Sequence, residues 1–224
     1  MDQAEAKRKV GRRAAELVDD GQLLGLGSGS TVAAFLVALA DRIEEETLSV
    51  RGVPTSHDTQ RRCEELGIPT TTLDEEPRLA LTIDGADEVA PDLDLIKGGG
   101  GALFREKVVA TASDRFVAIV DASKAADTLG EGFDLPIEVV EYALPLVREE
   151  LVDLDPELRT DDGDPFRTDN GNVILDLATG PIEDPQALAH RLDRTVGVLE
   201  HGLFLDVAER CLVGTDDGVQ ERKN

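Results

Sequence analysis

Short apolar runs alternate along this chain with longer segments whose apolar positions recur every three or four residues. Residues 3–19 carry that helical spacing and stop at Gly21, and QLLGLG, Gln22 to Gly27, has the length and composition of a strand. SGSTVAAFLVALADRIEEE predicts a second helix, with Ser28, Ser30 or Thr31 able to cap it. LSVRGVP predicts a strand, and SHDTQRRCEELG a helix closed by Gly67. Strands follow at Ile68–Leu73, Leu79–Asp84 and Phe116–Asp121, with a glycine-rich turn and a helix ahead of the last. Alternation at these lengths predicts an α/β domain with a largely parallel sheet.

Beyond Lys124 the texture changes. LPIEVVEYA and NVILDL read as alternating strands around the helix PLVREELV, with another helix over Asp184 to Arg194, which predicts a small α+β domain. The tail GLFLDVAERCLVGT returns to strand texture and is expected to rejoin the first sheet. The expected division is residues 1–127 plus 203–224 for the α/β domain, with 128–202 inserted near the C-terminus as the smaller one.

Composition narrows the possibilities. The chain has 224 residues, 41% of them hydrophobic, enough for a substantial core. No apolar run reaches the length needed to span a bilayer, and the N-terminal segment is amphipathic without the apolar centre of a secretory leader, so a cytoplasmic location is expected. Cys63 and Cys211 lie far apart, as do His57, His190 and His201, and none has metal-ligand spacing, so no metal is expected. The net charge of −24 opposes a nucleic-acid footprint, because phosphates would be repelled. The acids are spread along the chain, and only six of its 23 basic residues are lysine. This is the composition expected of a protein kept soluble in concentrated salt.

Three stretches carry candidate chemistry. GLGSGST, Gly25 to Thr31, stands at a strand-to-helix junction, where glycines admit close backbone approach and amides and hydroxyls suit a phosphate; taken alone, a capped helix after a tight turn is its ordinary reading. TIDGADEV places Asp84, Asp87 and Glu88 directly after an apolar strand, where ligands of open α/β sheets bind, or else forms a solvated acidic turn. In LIKGGGGALFREKVVA four glycines separate Lys97 from Glu106. A linker would be richer in Ser and Pro, whereas a strand-to-helix connection offers exposed amides. Glu106 beside such a turn and a lysine could shuttle a proton at carbon, while Arg105 and Lys107 have the ordinary alternative of surface pairing. VDASK puts Lys124, like Lys97, just after a strand.

Taken in order, GLGSGST, GVPTS, TIDGADEV, KGGGGALFREK, VDASK, PIEVVEYA, TDNGNVILD and HGLF resemble the ribose-5-phosphate isomerase A family over nearly the whole chain. The resemblance implies a Rossmann-like domain and the interconversion of ribose 5-phosphate and ribulose 5-phosphate in pentose phosphate metabolism, with no metal or organic cofactor. It implies Glu106 as the base moving a proton between C2 and C1 through an enediolate, with Lys97 and the amides of Gly98, Gly99 and Gly100 as oxyanion donors. By the same resemblance Ser28, Gly29, Ser30 and Thr31 hold the phosphate, aided by Lys7. Asp84 and Asp87, flanking Gly85 and Ala86, contact sugar hydroxyls and assist ring opening, which of the two being open. Lys124 is a further substrate contact, His57 has no role, and a homodimer or homotetramer is expected. A non-catalytic sugar-phosphate sensor would keep the phosphate loop without needing Glu106.

Overall fold

The computed structural model describes residues 3–223. In chain order it contains α1 (Gln3–Ala15), β1 (Leu23–Leu26), α2 (Ser30–Glu46), β2 (Arg51–Pro54), α3 (His57–Leu66) and β3 (Leu81–Asp84). Next come β4 (Glu88–Val89), β5 (Leu95–Ile96), α4 (Leu103–Thr111) and β6 (Phe116–Asp121). There follow β7 (Leu135–Val139), α5 (Leu144–Glu150), β8 (Pro156–Leu158), β9 (Thr160–Asp161), β10 (Asp164–Pro165) and β11 (Val173–Leu177). The chain ends with α6 (Pro185–Asp193), β12 (Val198–His201), β13 (Leu203–Phe204), β14 (Arg210–Thr215) and β15 (Gly218–Lys223).

The described residues form two compact units. One takes the chain up to Ala86, then Arg105–Lys124 and everything from Asp206 onward; the other takes Asp87–Phe104 and Ala125–Leu205. The expected boundaries near 127 and 203 lie within three residues of two of these crossings. Sequence reading did not anticipate that residues 87–104 belong with the second unit. Their strands β4 and β5 are two residues each, too short to show a period.

The first unit is a Rossmann-like α/β layer. Its sheet runs β15-β14-β6-β3-β1-β2, with every neighbouring pair parallel except the β14–β15 hairpin. β3 and β6 are buried at every position; β6 accordingly reads as an apolar run up to its closing Asp121, whereas β3 alternates and buries Thr82 and Asp84 beside Leu81 and Ile83. Leu26, Phe35, Leu39, Ile83, Ile119 and Leu212 are central to the core. The tail rejoins this sheet through β14, as expected, and adds β15 beyond it. From β1 the chain winds outward to β2, then returns to the other side of β1 as β3. That reversal makes the β1/β3 carboxyl ends the topological switch point, the place where open α/β sheets bind their ligands.

In the second unit the antiparallel sheet β12-β7-β11-β8 packs Leu135, Ile137, Val147, Leu175 and Leu192 into its own core. The small sheet β13-β5-β4 lies in the same unit.

Three local expectations are corrected. α1 stops at Ala15, not residue 19, because its last turn tightens into i→i+3 bonds and Arg42 Nη1 takes the carbonyls of Ala15 and Val18. Ile68–Leu73 is not a strand; Pro69 has no N–H to donate, and the segment makes a single bridge from Thr70 to Gly52. The α2 N-cap is Gly29, so none of Ser28, Ser30 and Thr31 caps that helix. α3 does close on Gly67 in the left-handed conformation, as its sequence predicts.

Candidate functional site

At the switch point the loop after β1 meets the end of β3. Asp84, fully buried, accepts the N–H of Ser28 at 2.9 Å and that of Gly85 at 2.7 Å on the same Oδ1. Gly27 lets these segments touch: a Cβ there would stand 2.1 Å from Asp84 Oδ1. Two of the hydroxyls expected to cap α2, those of Ser28 and Ser30, are employed otherwise. Ser30 Oγ accepts the Lys7 ammonium at 2.9 Å, which brings together two residues 23 apart in the chain that were both expected at the phosphate. Gly29 and Ser30 are exposed and Thr31 is half-buried, so the N-terminus of α2 faces solvent with Lys7 beside it, an arrangement that favours an anion.

Ser28 Oγ joins a group of hydroxyls that sequence reading did not assign. It lies 2.8 Å from Thr55 Oγ1, donates to Ser56 Oγ at 2.9 Å and lies 3.2 Å from Thr59 Oγ1, which itself donates to the Gly27 carbonyl at 2.7 Å. Thr55 and Ser56 follow β2, next to β1 in the sheet, so they arrive at the same end of the layer. The GVPTS motif was the available signal. Its last residue, Ser56, also caps α3 by accepting the Thr59 N–H.

The three acids of TIDGADEV separate. Asp84 stays in the first unit, whereas Asp87 and Glu88 belong to the second. Glu88 is buried and accepts the N–H groups of Gly130 and Gly132 at 2.6 and 2.7 Å, so it fixes a loop. Asp87 Oδ2 accepts the Gly99 N–H at 2.7 Å. That bond removes one of the three glycine amides expected as oxyanion donors.

The glycine turn is no linker. Gly101 donates to the Gly98 carbonyl at 2.9 Å, and Gly98 and Gly101 take φ of 108° and 75°, which a side chain would strain. Lys97, ahead of it, is 2% exposed, with its ammonium 5.5 Å over the Phe204 ring. Glu106 lies in the first turn of α4 and is 5% exposed, while its neighbours Arg105 and Lys107 are half-buried. A carboxylate this far from water is unusual unless it is bound or used. Lys124 is half-buried on a short helical turn after β6. Nearby, Asp121 is buried. Burial raises its pKa, but hydrogen bonds from the Ser123 hydroxyl and N–H and from Gln3, with the charge of Lys7, hold it below the ordinary carboxylate value.

Asp193, Glu200 and His201 offer ligand atoms within 4.8 Å of one another, an arrangement sequence spacing did not suggest. His201 Nδ1 accepts the Leu203 N–H at 3.2 Å, which puts the imidazole proton on Nε2, facing Asp193 Oδ1 at 3.2 Å. No described helix is long and apolar enough to cross a membrane.

A model of the family "Ribose 5-phosphate isomerase A (phosphoriboisomerase A)" matches residues 51–218. The chain is 50% identical over 226 residues to ribose-5-phosphate isomerase A of Caulobacter vibrioides, covering 98% of both chains. It is 47% identical to that of Roseiflexus castenholzii, covering 99% of this chain and 96% of the relative. Among solved structures it matches ribose 5-phosphate isomerase A from Methanocaldococcus jannaschii with TM-score 0.93 and 40% identity, covering 98% and 99% of the two chains. A D-ribose-5-phosphate isomerase in complex with phospho-erythronic acid matches with TM-score 0.96 and 36% identity over the whole of both chains. Likeness of this extent in sequence and backbone together places the chain in the ribose 5-phosphate isomerase A family.

Proposed function

We propose that this chain interconverts D-ribose 5-phosphate and D-ribulose 5-phosphate, moving a proton between C2 and C1 through an enediolate with Glu106 as the base. The observation that carries this reading is the buried carboxylate of Glu106 at the start of α4, in a chain of this family. A proton α to a carbonyl is removed by a base held over it, with donors aimed at the oxygen that becomes negative. Proton transfer of this kind needs no redox cofactor. Lys97 and the amides of Gly98 and Gly100 supply donors, while Asp87 orients the turn through Gly99 and meets sugar hydroxyls with its other oxygen.

The phosphate sits at the α2 N-terminus on Gly29, Ser30 and Thr31, balanced by Lys7, a reading supported by the Lys7–Ser30 contact. Asp84, fixed by Ser28, contacts a sugar hydroxyl with Gly85 and Ala86 beside it, and Lys124 adds a further contact. The solved relative bound to phospho-erythronic acid, a phosphorylated sugar acid, supports a phosphosugar as ligand. Assembly as a homodimer or homotetramer accounts for the exposed apolar residues of the second unit, with Tyr142 97% and Val196 72% exposed. A net charge of −24 suits a cytoplasm rich in salt.

The test is a proton NMR time course of ribose 5-phosphate in deuterium oxide, in molar potassium chloride with a chelator. Ribulose 5-phosphate carrying solvent deuterium at the exchanging carbon supports both isomerisation and the enediolate. Product without deuterium would overturn an exchanging enediolate. No product at high or low salt would overturn the reading and favour the sensor.

A further inference from the structure

Two ionised side chains of the second unit grip opposite ends of one peptide in the glycine turn. Arg159 Nη1 donates to the carbonyl of Gly98 at 2.8 Å and to that of Gly99 at 3.0 Å. Asp87 Oδ2 takes the Gly99 N–H at 2.7 Å. The Gly98 carbonyl and the Gly99 N–H belong to a single trans peptide, so its plane cannot turn without breaking a charge-assisted bond. The next peptide is fixed at its carbonyl end. Because C=O and N–H of a trans peptide point in opposite directions, a Gly99 carbonyl aimed at Arg159 aims the Gly100 N–H away from it. That is the side on which Asp87 meets Gly99. The Gly101 N–H is spent within the turn, whereas Gly100 is exposed.

Arg159 is itself held in place. Its Nε donates to Asp176 Oδ2 at 2.9 Å and its Nη2 to Asp176 Oδ1, a bidentate pair with side chains only 15% and 23% exposed. Its guanidinium lies 5.8 Å over the Phe166 ring. The same ring packs against Gly101, where a Cβ would come within 2.3 Å of it. Ring, guanidinium and carboxylate thus form one brace behind the turn. Lysine, with a single ammonium, could not hold two carbonyls and a carboxylate in this fork.

We propose that Arg159, oriented by Asp176, is a positioning residue for the isomerisation: it sets the peptide planes of Gly98 to Gly100 so that the Gly100 amide faces the oxygen that becomes negative in the enediolate. This rests on the reading of the glycine turn as part of the substrate site. Arg159 touches no reacting atom; it acts through the backbone it orients.

The experiment compares wild type, Arg159→Ala and Asp176→Asn by kcat, by KM for ribose 5-phosphate, and by inhibition with phospho-erythronic acid, whose planar carboxylate resembles the enediolate. For Arg159→Ala, kcat should fall about 30- to 100-fold, as misplacement by about an ångström does. KM should stay within about 3-fold, and the inhibition constant should rise in step with the loss of kcat, because the donor matters most to the enediolate. Asp176→Asn should shift the same quantities in the same direction by less. Unchanged kcat, a matching rise in KM, or lost kcat with undiminished inhibitor affinity would each overturn the proposal. If Arg159→Ala does not fold, Arg159→Gln/Asp176→Asn removes both charges together and is judged by the same criteria. Wild type that turns over alongside an unaffected Arg159→Ala sinks only the role of Arg159. Wild type without turnover sinks the functional reading and this proposal with it.

Discussion

Asp84 Oδ1 receives the Ser28 N–H at 2.9 Å and so ties the loop after β1 to the end of β3 at the point where the sheet reverses direction. The bond spans 56 residues of chain and depends on Gly27, whose missing side chain leaves the room Asp84 occupies. Gly27→Ala should therefore destabilise the protein by about 1–3 kcal/mol through overpacking. It should also impair turnover, since relief of the clash moves Asp84. Urea denaturation and steady-state kinetics on one preparation would check this; an alanine variant matching wild type in both would show that the loop yields freely.

Glu106→Gln keeps shape and loses the base. Its kcat should drop by about 10²–10⁴-fold, the usual worth of a general base, with KM changed only a few-fold. Deuterium washed into ribose 5-phosphate should slow equally. A variant with near-normal turnover would take Glu106 out of the role.

Asp121 gives a pH dependence with a definite sign. Its folded pKa lies below the ordinary value, so the ionised group stabilises the fold above about pH 4, and that contribution is lost as pH falls through the folded value. Wild type should exceed Asp121→Asn by about 1.5–3 kcal/mol near neutrality, as for hydrogen bonds to a charged group, and the difference should shrink steadily as pH falls below about 4. Denaturation midpoints across that range measure it. A pH-independent difference would mean that packing, not charge, distinguishes the two.

Cys63 and Cys211 are fully buried, and burial pushes their thiols up to about 11 and about 12. At pH 8 the thiolate fraction is then on the order of a thousandth or less. Aromatic disulfide reagents should leave the native protein unlabelled and titrate two thiols in urea. Prompt labelling of native protein would expose a local opening of the core.

What the sequence determined by itself was everything carried by local pattern. The buried strand β6 reads as an apolar run, α3 announces its end with Gly67, and four successive glycines between Leu95-Ile96 and ALFREK mark a strand-to-helix turn, because each reflects φ/ψ freedom or one-dimensional burial. Motif order reached the family for the same reason. Tertiary structure alone decided who meets whom. Arg159 lies 61 residues from Gly98, and nothing in LRTDDG distinguishes it from a surface arginine. Thr55, Ser56 and Thr59 become partners of Ser28 only because β2 pairs with β1. Asp84, Asp87 and Glu88, adjacent in sequence, part ways because the chain crosses from one unit to the other between Ala86 and Asp87. Spacing along a strand fixes which face a residue takes, but its partner is set by loop closure over tens of residues, which leaves no periodic trace.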